Sequence, residues 1–277
     1  MRRIAQICIY PVKSCRGIRV DEAEIGPRGL LHDREFLVVD GDGRFLTQRV
    51  TPRLALVEPA LSDGALQLKA PGLPEIQVCL SGSESREQKA EIVPVIVWDD
   101  HVLANDTGEE SAAWFSEFLG MKTKLVCIGP GYSRTIPREN IPELHQASIL
   151  APEVSFADAY PFLVISEASL TDLKSRLPVS LPMDRFRPNL VVSGCRGPYE
   201  EDEWTTPRVN GITFRHGGPC VRCIVTTTDQ QTLERSPEPL RTLAIYRRNA
   251  GGGVMFGMNF FCESRSGAIR VGDLVEV

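Results

Sequence analysis

Short runs of β-branched and aliphatic residues, broken by turn residues, limit the fold of this sequence more than any other feature. Ile4 to Tyr10 alternates like a strand, and clusters such as Pro71-Gly72 end regular structure between the runs. We interpret Leu54 to Val57 as a further strand, and Phe36 to Arg49 as a hairpin about the turn Gly41-Asp42-Gly43. The first third of the chain is therefore predicted to consist mainly of strands.

Three helices interrupt this β pattern. Glu109 to Leu119 carries one wide apolar face and ends at Gly120, a residue that favours the end of a helix. A second helix fits a capping box at Ser169 and stops before Pro178, and Pro239 begins a short third one. The sequence therefore predicts an α+β fold that is mainly β.

Length and composition indicate the domain organisation and the class of protein. At 277 residues the chain exceeds one average domain, and Gly129-Pro130-Gly131 is the best boundary, so we expect domains over 1–130 and 131–277. In the second domain, Val209 to Arg215 is predicted to form one strand. The net charge of −5 argues against a nucleic acid as a partner.

The eight cysteines are scattered through the chain, which is typical of a protein in a reducing compartment. The basic start of the sequence lacks the long apolar core of an export signal. Because no run of about 18 apolar residues occurs, we expect no membrane span. These features together predict a cytoplasmic protein.

The run from Gly217 to Thr228 joins two thiols and a fixed cation. Glycines and a proline precede the thiols, and Ile224 to Thr228 is β-branched, so we expect an irregular loop that leads into a strand. Arg222 stays protonated in proteins, and it therefore favours the thiolate form of Cys220 and Cys223. A thiolate is the ligand that a soft metal requires.

Other interpretations of the two cysteines stay open at this point. With His216 they resemble half of a zinc site, although zinc sites usually take four ligands and the sequence has no second Cys-x-x-Cys. A thioredoxin-like redox pair would begin a helix, whereas this pair precedes a β-branched run. Two inert buried thiols are the default for isolated cysteines.

Three further segments have the composition of anion-binding sites. Lys13 and Ser14 lie in a loop after the first strand, Arg34 precedes an apolar run, and Arg187 and Asn189 lead into a buried strand. Each segment alone is more typical of a solvated turn or of surface charge. Their order along the chain is more informative than any one of them.

Seven short motifs occur in one order: Tyr-Pro-Val-Lys-Ser-Cys, Asp-Arg, Ser-Phe-Ala-Asp-Ala-Tyr-Pro-Phe, Phe-Arg-Pro-Asn, Pro-Cys-x-Arg-Cys-Ile, Phe-Gly-x-Asn and Ile-x-Val-Gly-Asp. From Ile4 to Val277 this set resembles the MOSC-domain family. It is most similar to the subgroup with an N-terminal MOSC β-barrel domain, which includes the mitochondrial amidoxime-reducing component and its bacterial relatives. The resemblance implies a barrel-like MOSC domain after a β-rich N-terminal domain, whose first ~35 residues also pack on the cofactor site.

The resemblance also implies a molybdenum cofactor, in which Cys223 is the one protein ligand of the metal and Cys220 is not a ligand. Asp158 takes the position of an acidic residue near the metal, as a proton donor or as the group that orients a water. The residues implied in binding the pterin and its phosphate are Lys13, Ser14, Arg34, Arg187, Asn189, Arg222 and Asn259.

The implied activity is reduction of small N-hydroxylated compounds, namely amidoximes, hydroxylamines and N-hydroxylated bases. The sequence has neither a Gly-x-Gly-x-x-Gly fingerprint after a strand nor a second cysteine cluster, so we expect an external electron donor. A ferredoxin, or a cytochrome with its reductase, is such a donor. Two alternatives are a sulfur carrier that holds a persulfide on Cys223, and a protein that binds the cofactor without turnover.

Overall fold

The computed structural model of the chain describes residues 1–62, 64–80, 90–146 and 152–277, and the regular secondary structure in these ranges is mainly strand. The strands are β1 Arg3–Ile9, β2 Ile18–Val20, β3 Glu22–Gly26, β4 Gly29–Leu30, β5 Phe36–Asp40, β6 Glu58–Ser62, β7 Ala65–Lys69, β8 Ile76–Cys79, β9 Ile92–Val97, β10 Asp100–Asp106, β11 Thr123–Cys127, β12 Phe162–Ser166, β13 Leu190–Ser193, β14 Arg208–Val209, β15 Ile212–Val221, β16 Met255–Cys262, β17 Ala268–Arg270 and β18 Val275–Glu276. The predicted α+β fold with a majority of strands is confirmed.

Short helices connect these strands. The α-helices of the described residues are α1 Glu109–Leu119, α2 Glu143–Gln146, α3 Glu167–Arg176 and α4 Leu240–Tyr246. The 3₁₀ helices are Pro52–Leu56, Arg138–Asn140, Met183–Phe186, Glu200–Glu203 and Ile224–Thr227. Within the described ranges, none of the helices has the length and apolarity that crossing a membrane requires.

The largest sheet has eight strands in the order β18-β14-β15-β16-β12-β13-β1-β2. Its two sides approach each other, because Val275 N donates to Arg2 O at 3.0 Å and Ile4 N donates to Asp273 O at 2.9 Å. The sheet therefore curls around an apolar interior that includes Phe162. Helix α3 covers the outer face, where Leu173 is buried among other aliphatic and aromatic side chains.

Strands between residues 36 and 127 form smaller sheets beside this one. Strands β5, β11, β10 and β9 form a four-stranded sheet, and β6, β7 and β8 form a three-stranded one. Helix α1 packs Trp114, Phe115 and Phe118 into the core between them, and Gly120 ends it in the left-handed conformation, as predicted. The division into domains at residue 130 stays a prediction.

Strand β1 belongs to the eight-stranded sheet although it lies at the start of the chain. It pairs antiparallel with β13, so that Ile7 is opposite Leu190. The loop that follows β1 is thereby carried to the residues that precede β13. This pairing is the main reason that distant segments of the sequence meet at one site.

The prediction that Ile224 to Thr228 is extended is wrong, because Ile224–Thr227 forms a 3₁₀ helix. The hydroxyl of Thr226 donates to Cys223 O at 2.9 Å, and that of Thr227 donates to Ile224 O at 2.7 Å. These local bonds outweigh the β propensity of the run. The strand lies earlier, in β15, which passes through the Gly-Gly-Pro segment with two bulges against β16.

Two predictions in the first third are also corrected. Leu54 to Val57 is not a strand, since Pro52 begins a 3₁₀ helix that ends at Leu56. Proline suits the first turn of a helix because it has no N–H to satisfy. The turn after β5 is present, but the segment from Arg44 to Arg49 forms only the isolated bridges Val39↔Phe45 and Arg44↔Ile96.

In the second half of the chain, one helix and one strand differ from their predicted boundaries. Helix α3 begins at Glu167, and its cap is Ser166, whose hydroxyl accepts a hydrogen bond from Ser169 N. The predicted strand from Val209 to Arg215 is two strands, β14 and β15, joined by Asn210-Gly211. Both turn residues have positive φ, the conformation that an Asn-Gly hairpin turn requires.

Gly257 in β16 yields a test of this packing, because its φ is +79° and an added Cβ would lie 2.6 Å from Ile165 Cγ1. We expect Gly257→Ala to lower the free energy of unfolding by about 1–3 kcal/mol, as measured by urea denaturation. Gly197→Ala is the control, since an added Cβ there meets nothing within 4 Å. Equal stability of the two variants would contradict the close approach of β16 to β12.

Candidate functional site

One cavity of about 520 Å³ is lined by charged residues and cysteines from several of the sequence motifs. Its walls come from the loop after β1, the turn before β5, the segment before β12, the segment before β13 and the end of β15. Every site residue predicted from the sequence lines it: Lys13, Ser14, Arg34, Asp158, Arg187, Asn189, Arg222, Cys223 and Asn259. The structure thus brings together segments that are up to 246 residues apart, from Lys13 to Asn259; the roles of these residues stay predictions.

Cys223 lies directly after β15, at the start of the 3₁₀ helix Ile224–Thr227. Its side chain is partly exposed, and no hydrogen bond to its sulfur is found among the described residues. Backbone bonds hold the residue in place, because Cys223 O accepts from Thr226 N at 3.1 Å. The thiol is therefore fixed in position and open to a ligand.

Arg222 contacts Cys220, whereas the family resemblance implies that Cys223 is the ligand of the metal. Its Nη1 donates to Cys220 Sγ at 2.9 Å, and its Nη2 donates to Phe186 O at 2.6 Å. The buried Nε atom has no partner within the described part of the chain. Arg222 thus contacts Cys220, whereas no contact with the Cys223 sulfur is found among the described residues. The expectation that Arg222 favours a thiolate stays a prediction.

Arg34 and Arg187 share one aromatic ring. The guanidinium carbons lie 4.4 Å and 4.2 Å from the centroid of the Tyr10 ring, which is a favourable cation–π distance. Tyr10 donates its hydroxyl to Pro188 O at 3.1 Å, and Gly17 leaves room for the ring, since a Cβ there would lie 2.5 Å from it. Sequence reasoning missed Tyr10, although it begins the first of the seven motifs.

The two arginines differ in how many of their donors are used. Arg34 forms an ion pair with Asp33, and it donates to Asn189 Oδ1 at 2.8 Å. Arg187 donates from Nη1 to Cys15 O at 2.6 Å, and the other N–H groups of its guanidinium have no partner among the described residues. Burial lowers the pKa of Arg187 from its usual value, yet the group remains a cation. Arg187 therefore has free donors for an anion.

Asn189 is a supporting residue of the cavity wall. Its Oδ1 accepts from Arg34 and, at 3.3 Å, from Leu163 N, while its Nδ2 donates to Cys8 O at 3.2 Å. Because these three contacts are all within the protein, the side chain orients Arg34 and joins β1 to β12.

Several residues of the cavity wall have a left-handed backbone. Ser14, Arg34 and Arg187 have φ values of 69°, 53° and 57°, and Gly218 has a φ of 103°. Positive φ is uncommon for residues other than glycine and is frequent at binding sites, where the fold imposes it. The backbone of Arg34 is held from both sides, since its N–H donates to Tyr10 O and its carbonyl accepts from Phe156 N.

Lys13 and Asp158 form an ion pair on one side of the cavity. Lys13 Nζ also donates to Phe156 O at 2.7 Å, and Arg49 approaches the other carboxylate oxygen of Asp158 at 3.4 Å. Burial lowers the pKa of Lys13 to about 8, although the Asp158 carboxylate opposes that shift. Desolvation acts to raise the pKa of Asp158, but the attraction of Lys13, Arg49 and Arg34 outweighs it and holds the pKa below its usual range.

The family resemblance implied that Asp158 either donates a proton or orients a water. The lowered pKa of Asp158 favours the second role, in which the ionised carboxylate accepts a hydrogen bond. An ionised carboxylate holds no proton at neutral pH, whereas the neighbouring Lys13 ammonium does. Arg134 holds the backbone of the same segment, because its Nη2 donates to Asp158 O at 3.1 Å. Arg49 and Arg134 were missed by sequence reasoning, since no local pattern links either residue to position 158.

The charges of the wall suit an anionic ligand. The cations that line the cavity are Lys13, Arg34, Arg49, Arg187 and Arg222, and Asp158 is the one carboxylate among the described lining residues. In the described ranges no group of three or more His, Cys, Asp or Glu residues is close enough to hold a metal. The cavity therefore has five cations that can bind an anionic group, and a thiol, Cys223, whose sulfur has no hydrogen-bond partner within the described ranges. This donor set fits a metal whose other ligands come from an anionic organic cofactor.

The fold and cavity define a mainly β protein with a cation-rich binding cleft beside a thiol. Residues 1–122 match the family described as the MOSC N-terminal beta barrel domain, and residues 151–276 match the MOSC domain. The chain belongs to the MOSC-domain family, as the sequence motifs predicted.

Several relatives are similar over most of this chain. Mitochondrial amidoxime-reducing component 1 of Mus musculus is 36% identical, over 98% of this chain and 81% of that protein. Mitochondrial amidoxime reducing component 2 of Homo sapiens is 34% identical, over 98% of this chain and 82% of that protein. Molybdenum cofactor sulfurase of Danio rerio is 32% identical over 92% of this chain, which spans 31% of that protein.

The buried Lys13 predicts a pH dependence of stability. Between about pH 8 and 10.5 the folded protein binds fewer protons at Lys13 than the unfolded chain does, so this group adds stability as the pH rises. We expect the unfolding free energy of wild type, minus that of Lys13→Met, to increase by up to about 1.4 kcal/mol per pH unit in this window. Urea titrations at several pH values measure it.

Lys69→Met is the matched control, because Lys69 is an exposed lysine whose ion pair with Glu75 lies on the surface. Its stability difference from wild type should be independent of pH in the same window. A flat difference for Lys13→Met as well would show that Lys13 titrates at an ordinary pKa.

Proposed function

We propose that this protein is a molybdenum-cofactor-dependent reductase of small N-hydroxylated compounds. The observation that carries the proposal is the cavity itself, in which the Cys223 thiol lies among five cations and has no hydrogen-bond partner in the described part of the chain. The 36% identity to an amidoxime-reducing component supports the same reaction class. In that reaction an N–OH group takes up two electrons and two protons, its N–O bond breaks, and water leaves.

The residues present fit the cofactor. Cys223 would provide the thiolate ligand to molybdenum, and Arg187 would use its free donors on the phosphate or pterin. Arg34 and Arg222 would add charge-assisted hydrogen bonds, and Ser14 would add a hydroxyl. When bound, the cofactor supplies the two-electron reduction of the N–O bond, and the protein supplies binding, orientation and protons.

Protons would be held at Lys13 Nζ. Its pKa of about 8 is near the operating pH, which suits a group that gives up a proton and takes up another. Asp158 Oδ1 accepts a hydrogen bond from this ammonium, so the carboxylate keeps the proton at the cavity wall. Asp158 would also accept a hydrogen bond from an N–H or O–H group of the substrate.

Electrons would come from a separate protein, such as a ferredoxin or a cytochrome with its reductase. A small-molecule substrate and a cytoplasmic location complete the proposal.

A second candidate is a sulfur carrier with a persulfide on Cys223, and the similarity to a molybdenum cofactor sulfurase favours it. In a third, the protein binds the cofactor without turnover.

Serine variants of the two cysteines test the proposal. We expect Cys223→Ser to lose molybdenum and the reduction of benzamidoxime by reduced methyl viologen. The Cys220 sulfur already accepts a hydrogen bond from Arg222, whereas the Cys223 sulfur has no hydrogen-bond partner among the described residues. Cys220→Ser should keep most of both, since a serine oxygen also accepts from Arg222. Metal analysis and the turnover assay measure the result, and cyanolysable sulfur without molybdenum on wild type would favour the sulfur carrier. Equal loss in both variants would indicate a paired-thiol site.

Arg187→Ala tests the binding of the anionic cofactor. The variant loses a charge-assisted hydrogen bond worth about 1.5–3 kcal/mol, so the pterin should be retained about 10–100-fold less well on dilution and gel filtration. Arg19→Ala is the control, because Arg19 is exposed and pairs with Asp184 outside the cavity lining. Full pterin occupancy in dilute Arg187→Ala would contradict the role of this arginine.

A further inference from the structure

The turn between β9 and β10 connects to Asp158 by two separate routes, although it lies about 60 residues away in the sequence. The turn begins at Trp98, whose φ of 58° is uncommon for so large a side chain. Backbone strain of this kind persists where surrounding contacts impose it, and it is frequent at functional sites.

The first route reaches the carboxylate. The guanidinium of Arg49 lies 4.7 Å from the centroid of the Trp98 ring, and the same guanidinium approaches Asp158 Oδ2 at 3.4 Å. The indole therefore supports the cation that contacts one oxygen of the carboxylate.

The other oxygen is supported in a parallel way. Lys13, which pairs with Asp158 Oδ1, has its Nζ 5.8 Å from the centroid of the Phe45 ring. The rings of Phe45 and Trp98 lie 5.1 Å apart at 55°, so that they pack on each other. The two packed rings therefore each contact one cation, Phe45 contacting Lys13 and Trp98 contacting Arg49. Both cations in turn contact the Asp158 carboxylate.

The second route reaches the backbone of Asp158. Asp100, two residues after Trp98, accepts from Arg134 Nε at 2.6 Å through its Oδ2. Arg134 in turn donates to Asp158 O at 3.1 Å and to Ser155 O at 3.2 Å. The turn thus fixes both the side chain and the main chain of residue 158.

We propose that the Trp98–Asp100 turn is a positioning element for Asp158, in which Trp98 acts through Arg49 and Asp100 acts through Arg134. As a statement about reduction it rests on the proposed function. The four-stranded sheet β5-β11-β10-β9 thereby supports Asp158, although no described residue of its strands lines the cavity. Trp98 and Asp100 are positioning residues, since Trp98 and Asp100 lie outside the cavity lining.

Steady-state kinetics of the molybdenum-loaded protein, with benzamidoxime and reduced methyl viologen, test the catalytic part. Trp98→Ala should lower kcat about tenfold or more, with KM within about threefold and molybdenum content unchanged, because small displacements of a catalytic group are costly. Trp98→Phe, which keeps a ring beneath Arg49, should recover most of the rate. Leu103→Ala on the same hairpin, an exposed residue outside the cavity lining, should match wild type.

A double variant separates positioning from a general loss of structure. If Trp98 acts through Asp158, Trp98→Ala should have no further effect on kcat in an Asp158→Asn background. The same comparison applies to Asp100→Asn, which keeps the size of the side chain. Undiminished effects in the Asp158→Asn background, or a loss of molybdenum in the single variants, would overturn the proposal.

A measurement on the protein without cofactor tests the contacts alone. Trp98 is 41% exposed, whereas Trp114 and Trp204 are at most 5% exposed, so acrylamide quenches chiefly the Trp98 fluorescence. Asp158→Asn should loosen Arg49 from the indole and raise the quenching constant. Glu22→Gln removes a comparably exposed carboxylate that pairs with Arg270, and it should leave the constant unchanged.

The kinetic and the quenching measurements together distinguish a failure of the proposed function from a failure of the link between Trp98 and Asp158. If wild type shows no reductase activity but quenching rises in Asp158→Asn, the proposed function fails and the link between Trp98 and Asp158 stands. If quenching in Asp158→Asn equals that of Glu22→Gln, the link itself is refuted, whatever the activity.

Discussion

The antiparallel pairing of β1 with β13 is the constraint on which the rest of the structure depends. It joins residues up to 190 positions apart, Arg3 and Ser193, and Asn189 reinforces it through Cys8, whose N–H donates to Asn189 O at 2.8 Å. Without this pairing, the loop that carries Lys13 would not reach the segment that carries Arg187. The site is therefore a consequence of the curled sheet, because no single stretch of sequence contains it.

Collecting five cations in one cavity costs electrostatic and desolvation free energy, and the surroundings offset that cost in different ways. Arg34 has the Asp33 carboxylate, Lys13 shares Asp158 with Arg49, and several of the cations lie on aromatic rings. Arg187 has no carboxylate partner among the described residues. A bound anion would remove the remaining repulsion, so binding and stability of this protein are coupled.

Much of the fold follows from local patterns in the sequence. The apolar face of Glu109–Leu119 and the Gly120 cap define α1, and all nine predicted site residues line one cavity because motif order reflects the topology. Local propensity failed where side-chain hydrogen bonds intervened, as at Thr226 and Thr227. Arg49, Arg134 and Trp98 were not predictable, because their importance arises from contacts between segments that are distant in sequence.

The central claim is that the cavity holds a molybdenum cofactor through Cys223. Anomalous diffraction at the molybdenum edge, from crystals of protein produced with ample molybdate, tests it most directly. The account predicts one strong peak beside Cys223 Sγ, with density for the pterin extending toward Arg187 and Arg34. A peak away from Cys223, or the absence of a peak together with an extra sulfur atom on this thiol, would contradict it.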